Sequence, residues 1–87
     1  MFTNKCKDGR NNLCGAWVAK FRKERKLSQK KLADALQLAG LDVDKNAVQR
    51  IEAGKRFVTD IELAYLSEVL QVPLEQLLFK NRPSDEM

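Results

Sequence analysis

The fold is decided by one stretch of the chain, Asp42-Val-Asp-Lys-Asn-Ala-Val-Gln-Arg-Ile-Glu-Ala-Gly54. Asp44 is a residue type that caps helix N-termini, and Val43 with Val48 can form a hydrophobic staple across that cap. Gly54 has the conformational freedom that a left-handed residue after a helix needs. The stretch therefore predicts a helix over residues 45–53.

The predicted helix has two different faces. At about 100° per residue, one side is apolar and suited to a core, and it carries Ala47, Val48 and Ile51. The other side presents four polar side chains within an arc of about 140°: Lys45, Asn46, Gln49 and Arg50. Amide side chains match the edge of adenine, and cationic side chains match guanine. Taken alone, the same pattern also fits the solvated face of any soluble helix.

Two more helices are predicted before this one. Apolar residues at three- and four-residue steps predict a first helix over residues 13–27, capped by Asn12. Ser28 is the predicted cap of a second helix over residues 29–38, which Gly40 ends. The predicted buried positions of the two helices are Leu13, Trp17, Val18, Phe21, Leu32, Ala33 and Leu36.

Two further helices are predicted after it. Thr59 with Glu62 is a capping-box pattern and starts a fourth helix that ends near Gln71, and Pro73 suits the first turn of a short last helix. The predicted buried positions are Leu63, Leu66, Leu70, Leu74, Leu77 and Leu78. Since no segment has the period of a strand, we expect an all-α fold, a compact five-helix domain over residues 12–79 with tails over residues 1–11 and 80–87.

Composition excludes several classes of protein. The 87 residues, 44% hydrophobic and 32% charged, suit one small folded domain. Without any His, the two cysteines Cys6 and Cys14 cannot complete a four-ligand zinc site or a Cys-His catalytic pair within one chain. They are more often free thiols than a disulfide in the cytosol. No segment resembles a membrane span or a secretory signal. We expect a cytoplasmic protein that is not an enzyme and that uses no cofactor, metal or membrane.

Positive charge is concentrated at one end of the chain. Residues 1–31 hold ten Lys and Arg against two Asp and Glu, whereas residues 59–87 hold two against six, and the net charge is +4. Such a basic block indicates a polyanionic partner, either nucleic acid or a membrane surface. Basic residues on the solvated face of a helix are the alternative.

Two runs carry a family resemblance. They read Arg25-Lys-Leu-Ser-Gln-Lys-Lys-Leu-Ala-Asp-Ala-Leu36 and Ala47-Val-Gln-Arg-Ile-Glu-Ala-Gly-Lys55. Together they resemble the Cro/CI-type, or XRE, helix-turn-helix family of lambda-repressor-like DNA-binding proteins. The resemblance covers about residues 13–79. The spacing between Leu36 and Val48 is about five residues longer than is usual in a helix-turn-helix, so we expect a lengthened turn between the second and third helices.

The resemblance implies roles for individual residues. It implies base contacts by four residues: Lys45, Asn46, Gln49 and Arg50. It implies phosphate contacts by Gln29, Lys55 and Arg56. A structural ion pair is implied between Arg22 and Glu52, and Trp17 and Phe21 are assigned to the core. Arg50 has a phosphate as its alternative target, and Lys55 has the alternative of a solvated loop residue.

The resemblance implies a sequence-specific regulator of transcription that binds double-stranded DNA. The expected mode of action is repression by occupying an operator. Such proteins commonly bind as homodimers, and the acidic, Leu-rich C-terminal part is the expected dimer surface. The alternative is a protein-interaction module such as an antitoxin, which neutralises a partner protein and autoregulates its operon. An RNA or single-strand binder would need exposed aromatic residues, and most aromatic residues here occupy apolar positions.

Overall fold

Five helices form along the part of the chain that the structure, a computed structural model, describes, namely Cys6 and residues 9–79. They are α1 (Gly15–Glu24), α2 (Gln29–Ala39), α3 (Lys45–Glu52), α4 (Asp60–Leu70) and α5 (Leu74–Leu77). Within these residues there is no strand, and no helix is long and apolar enough to cross a membrane. The predicted all-α architecture of five helices is confirmed. The tail predicted for residues 80–87 lies outside the described residues.

Side-chain caps fix where three of the helices begin. Ser28 caps α2 and Asp44 caps α3, each by accepting a hydrogen bond from a backbone N–H of the first turn. Thr59 and Glu62 form a reciprocal capping box on α4. These bonds satisfy N–H groups that have no partner inside the helix, so the helix starts follow from the local sequence.

Both ends of α1 differ from the prediction of residues 13–27, since the helix ends at Glu24. The helix begins at Gly15, and Leu13 before it is 41% exposed, so the prediction of Leu13 as a buried residue is wrong. Leu13 precedes the first turn and therefore does not follow the helical period that buries Trp17 and its neighbours. The N-cap position is Cys14 and not the predicted Asn12, although the Asn12 side-chain oxygen accepts a hydrogen bond from the Gly15 N–H at 2.8 Å.

The core draws side chains from every helix. Three residues of α1 (Trp17, Val18 and Phe21), three of α2 (Leu32, Ala33 and Leu36) and two of α3 (Val48 and Ile51) are buried in it. Leu66 and Leu70 of α4 and Leu77 of α5 complete this group, and Leu63 packs at its margin. The inner side of α3 is thereby held against the rest of the domain.

The last helix buries less than predicted. Leu77 is fully buried, but Leu74 and Leu78 are 44% and 42% exposed, so their prediction as inward-facing residues is wrong. The helix α5 spans only four residues, and one turn of that length directs a single side chain into the core.

The connection between α2 and α3 is lengthened, as predicted, and it is packed. Gly40 ends α2 with a φ of 116°, and the Leu41 N–H returns to the Leu36 carbonyl at 2.9 Å. The Gln37 side-chain amide donates to the Val43 carbonyl at 2.7 Å, and Val43 itself is buried. The extra residues therefore form a bonded turn that fixes the chain just before α3 begins.

Both cysteines are free thiols. Cys6 is half-buried, whereas Cys14 lies in the core at the start of α1. Burial raises the pKa of Cys14 to about 11, because the thiolate would lose its hydration. Cys14 therefore stays protonated at neutral pH and serves the core as a small apolar residue.

Candidate nucleic-acid interface

The outer face of α3, which we define as Lys45, Asn46, Gln49 and Arg50, is exposed along its whole length. None of these four side chains has a hydrogen bond or ion pair to another described residue. On the opposite side of the same helix, Val48 and Ile51 are almost fully buried. The helix thus presents two cations and two amides whose hydrogen-bonding groups are free for an outside partner.

The one carboxylate of α3 is turned away from the outer face. Glu52 accepts from the Arg22 guanidinium at 2.6 Å (Nε to Oε2) and 3.1 Å (Nη2 to Oε1), and both side chains are about nine-tenths buried. Arg22 also donates to the Leu27 carbonyl at 2.8 Å. A buried pair of this kind orients the elements that carry it, here α1 and α3, more than it adds to stability.

Gln29, a predicted phosphate contact, joins this ion pair. Its Nε2 donates to Glu52 Oε1 at 3.0 Å, and the side chain is half-buried at the start of α2. One carboxylate therefore links α1, α2 and α3. The Gln29 oxygen accepts no hydrogen bond from the described residues, and one amide hydrogen also remains for a ligand.

The two cations after α3 have different surroundings. Lys55 is exposed, and its ammonium has no partner within the described residues. Arg56 forms an ion pair with Glu62 at 2.5 Å and so connects the turn to α4. Both cations lie beyond the C-terminal end of the outer face, but only Lys55 is wholly free to bind a phosphate.

Sequence reasoning missed the segment that lies behind the end of α3. Arg10 Nη2 donates to the Glu52 carbonyl at 2.8 Å, and the Asn11 N–H donates to the Gly54 carbonyl at 2.8 Å. These residues belong to the predicted tail over residues 1–11. The Arg-Asn-Asn run is polar and has no hydrophobic period from which its position could be predicted. It is located by hydrogen bonds to residues about 40 positions away in the sequence.

No group of described His, Cys, Asp or Glu side chains is arranged to hold a metal ion. The polar groups of the candidate interface are the amides and cations on the outer face of α3, with Gln29 and Lys55 beside them.

Comparison with protein families gives a match over most of the chain. The profile of the helix-turn-helix family matches residues 18–77, a range that contains all of α2, α3 and α4. A search of curated proteins gives no match.

Solved structures of other proteins share the fold. The restriction-modification controller protein C.AhdI from Aeromonas hydrophila is 25% identical, with a TM-score of 0.64 over 72% of this chain and 84% of that chain. The clp gene regulator ClgR from C. glutamicum is 22% identical, with a TM-score of 0.66 over 77% of this chain and 80% of that chain. The second likeness concerns the fold alone.

Proposed function

This chain belongs to the helix-turn-helix family of DNA-binding transcriptional regulators, and on that basis we propose that it is a sequence-specific reader of double-stranded DNA that represses transcription by occupying an operator. In this proposal α3 enters the major groove. C.AhdI, a restriction-modification controller, supports a regulatory role by similarity.

The observation that carries the proposal is the unpartnered outer face of α3. A helix of eight residues is about 12 Å long, and the major groove is about 12 Å wide, so the whole face fits against base edges. Asn46 and Gln49 offer amides suited to adenine, and Lys45 and Arg50 offer donors suited to guanine. Because the opposite side of α3 is anchored in the core, these side chains would meet the bases in a fixed register.

Contacts to the DNA backbone would flank the groove. We assign them to Gln29 at the start of α2 and to Lys55 and Arg56 after α3. Phosphate contacts position a protein on the duplex without reading its sequence. Lys55 is the strongest of the three, since its ammonium is exposed and unpartnered among the described residues, whereas Arg56 would have to share its guanidinium with Glu62.

The protein is proposed to act as a homodimer, with the Leu-rich C-terminal part as the contact surface. Leu74, Leu78 and Phe79 are 44%, 42% and 50% exposed there, which leaves apolar area that a second copy would cover. Sedimentation equilibrium over a range of concentrations tests this. A monomer at micromolar concentration, with and without a two-site duplex, would contradict the dimer.

The test of DNA reading is selection of bound duplexes from a randomised pool at physiological salt. We expect an enriched inverted repeat, the mark of a two-fold reader. The Asn46→Ala and Gln49→Ala double variant is the matched control, because it changes only exposed side chains and should fold normally while losing the enrichment. An unenriched pool for the unaltered chain would contradict the proposal and favour a protein partner, such as the target of an antitoxin.

A further inference from the structure

The backbone turn after α3 is held by three residues from the other end of the chain, Arg10, Asn11 and Asn12, which we call the N-terminal segment. They donate hydrogen bonds to five backbone carbonyls, those of Ile51, Glu52, Gly54, Lys55 and Arg56. The last carbonyls of a helix have no partner within the helix, so this segment supplies bonds that α3 itself cannot make.

Asn12 makes the most of these bonds. Its Nδ2 donates to the Ile51 carbonyl at 3.1 Å and to the Arg56 carbonyl at 2.7 Å, and its Oδ1 accepts from the Gly15 N–H at 2.8 Å. The residue is only 8% exposed. Both amide hydrogens and the oxygen are therefore used inside the protein. The opposite orientation of the amide would set its oxygen against two carbonyl oxygens, so the network determines the orientation.

No other short side chain can make the same three bonds. Asp can accept from Gly15 but has no hydrogen to donate when ionised, and Ser has a single donor. The place is also crowded, because a Cβ built on Gly15 would stand 2.1 Å from the Ile51 carbonyl oxygen. The main chain at the start of α1 thus meets the main chain at the end of α3, and Asn12 bonds to both.

The position of this contact links it to the interface. The Asn12 amide bridges Ile51, inside α3, and Arg56, beyond it, and the turn between them carries Lys55. An isolated helix as short as α3 is marginal in water, so its end depends on tertiary contacts. The last turn of α3 carries Gln49 and Arg50 of the outer face. Loss of these bonds would let that turn and the following cations move relative to the rest of the domain.

We propose that Asn12 is a positioning residue for DNA recognition: it fixes the end of α3 and the turn that carries Lys55 without touching DNA. This inference rests on the proposed function, since it concerns how that interface is held. It predicts that variants of Asn12 lose discrimination between DNA sequences while the domain remains folded.

Two variants of the full chain test the proposal. Asn12→Ser keeps an oxygen that can accept from the Gly15 N–H, but it replaces the two amide donors with a single hydroxyl, which cannot bond to both carbonyls of the turn. Ser67→Ala is the matched control. It removes a comparable side-chain bond, from Ser67 Oγ to the Val72 carbonyl at 2.6 Å, at the far end of α4. Thermal unfolding of both variants identifies a temperature at which each is fully folded.

Two readouts are compared at that temperature. The first is the ratio of affinity for the selected duplex to affinity for a scrambled duplex of equal length. The second is hydrogen exchange of the Gly54 and Lys55 amides, which donate to the Ile51 and Arg50 carbonyls, measured against the amides of α4. For Asn12→Ser we expect the ratio to fall about tenfold and exchange at the turn to quicken about as much, since the amide that ties the Ile51 carbonyl to the Arg56 carbonyl is lost. For Ser67→Ala we expect neither change.

Three results would overturn the inference. An unchanged ratio in Asn12→Ser would show that the turn is held without Asn12. An equal fall of the affinity ratio in Asn12→Ser and Ser67→Ala would show a general effect of lowered stability. If the unaltered chain prefers no duplex, the proposed function fails, and the exchange data alone decide the inference: faster exchange confined to the turn of Asn12→Ser supports the positioning role of Asn12 within the fold, and unchanged exchange overturns it.

Discussion

The two sides of α3 differ in where their polar groups find partners. On the outer face, the four side chains have no partner among the described residues. On the inner side, Glu52 bonds to Arg22 and Gln29, and the backbone carbonyls of Ile51 and Glu52 accept hydrogen bonds from the N-terminal segment. The helix is therefore bonded on the side that faces the domain and unbonded on the side that faces solvent.

This difference indicates a division between stability and recognition within eight residues. Buried polar groups must be paired, so changes on the inner side should alter the free energy of unfolding. Exposed side chains add little to stability, so changes on the outer face should alter binding alone. The substitutions at Glu52 and Gly15 should therefore lower the free energy of unfolding, and those at Gln49 and Lys55 should weaken binding without changing stability.

The largest effect on stability is expected from Glu52→Gln. It leaves the Arg22 guanidinium, which is 11% exposed, without its counter-charge, and removal of one partner of a buried pair costs about 3 kcal/mol or more. Urea unfolding of the free protein measures this loss. The control is Asp34→Asn, which breaks the exposed Lys30–Asp34 pair and should cost less than about 1 kcal/mol. Equal losses of unfolding free energy in the two variants would show that the buried Arg22–Glu52 pair matters no more to stability than an exposed pair.

The next effect is expected from Gly15→Ala. Alanine is favoured over glycine in helices by about 1 kcal/mol, but its Cβ would stand 2.1 Å from a backbone oxygen of α3. Because the main chain must shift, overpacking outweighs helix propensity, and we expect a net loss of about 2–3 kcal/mol in urea unfolding. Lys23→Ala at an exposed site of α1 should stay within about 0.5 kcal/mol. A stabilised Gly15→Ala variant would show that α1 and α3 are not in close contact.

On the outer face, Gln49→Ala should weaken binding to the best duplex by about 1–3 kcal/mol and relax the preference at one base position. The unfolding midpoint should not change, since the side chain is exposed and has no partner among the described residues. Competition binding against duplexes mutated at each position checks this. If specificity is unchanged in both Gln49→Ala and Asn46→Ala, the outer face is not the reading surface.

The smallest effect is expected from Lys55→Ala. Loss of one phosphate contact should weaken all duplexes nearly equally and reduce the slope of log affinity against log salt by about one. Titrations at several salt concentrations, with the selected and the scrambled duplex, measure this slope. A loss confined to the selected duplex would make Lys55 a base-reading residue.

Local signals accounted for most of the fold. Ser28, Asp44 and the Thr59–Glu62 pair act through backbone groups within a few residues, so the starts of α2, α3 and α4 could be predicted. The errors at Leu13, Leu74 and Leu78 all lie near ends of the domain. There a residue keeps its apolar character but has no further layer of protein to pack against.

The candidate interface could likewise be predicted in part. Helical periodicity separates Lys45, Asn46, Gln49 and Arg50 from the core positions, and the structure places all four on the exposed side of α3. Their role as base contacts stays a prediction. The pairing of Gln29 with Glu52 and of Arg56 with Glu62 could not be predicted from periodicity, because each joins side chains of different elements.

The sequence by itself determined the five helices, the caps of α2, α3 and α4, the two faces of α3 and the family to which the chain is similar, because these depend on residue types a few positions apart. Only the tertiary structure decided that Asn12 bonds to Ile51 and Arg56, and that Gly15 lets the start of α1 reach the end of α3. The physical reason is that these contacts join residues far apart in the sequence. The segment before α1 has no hydrophobic period of its own, and its donors reach their carbonyl partners only after folding brings distant backbone within about 3 Å.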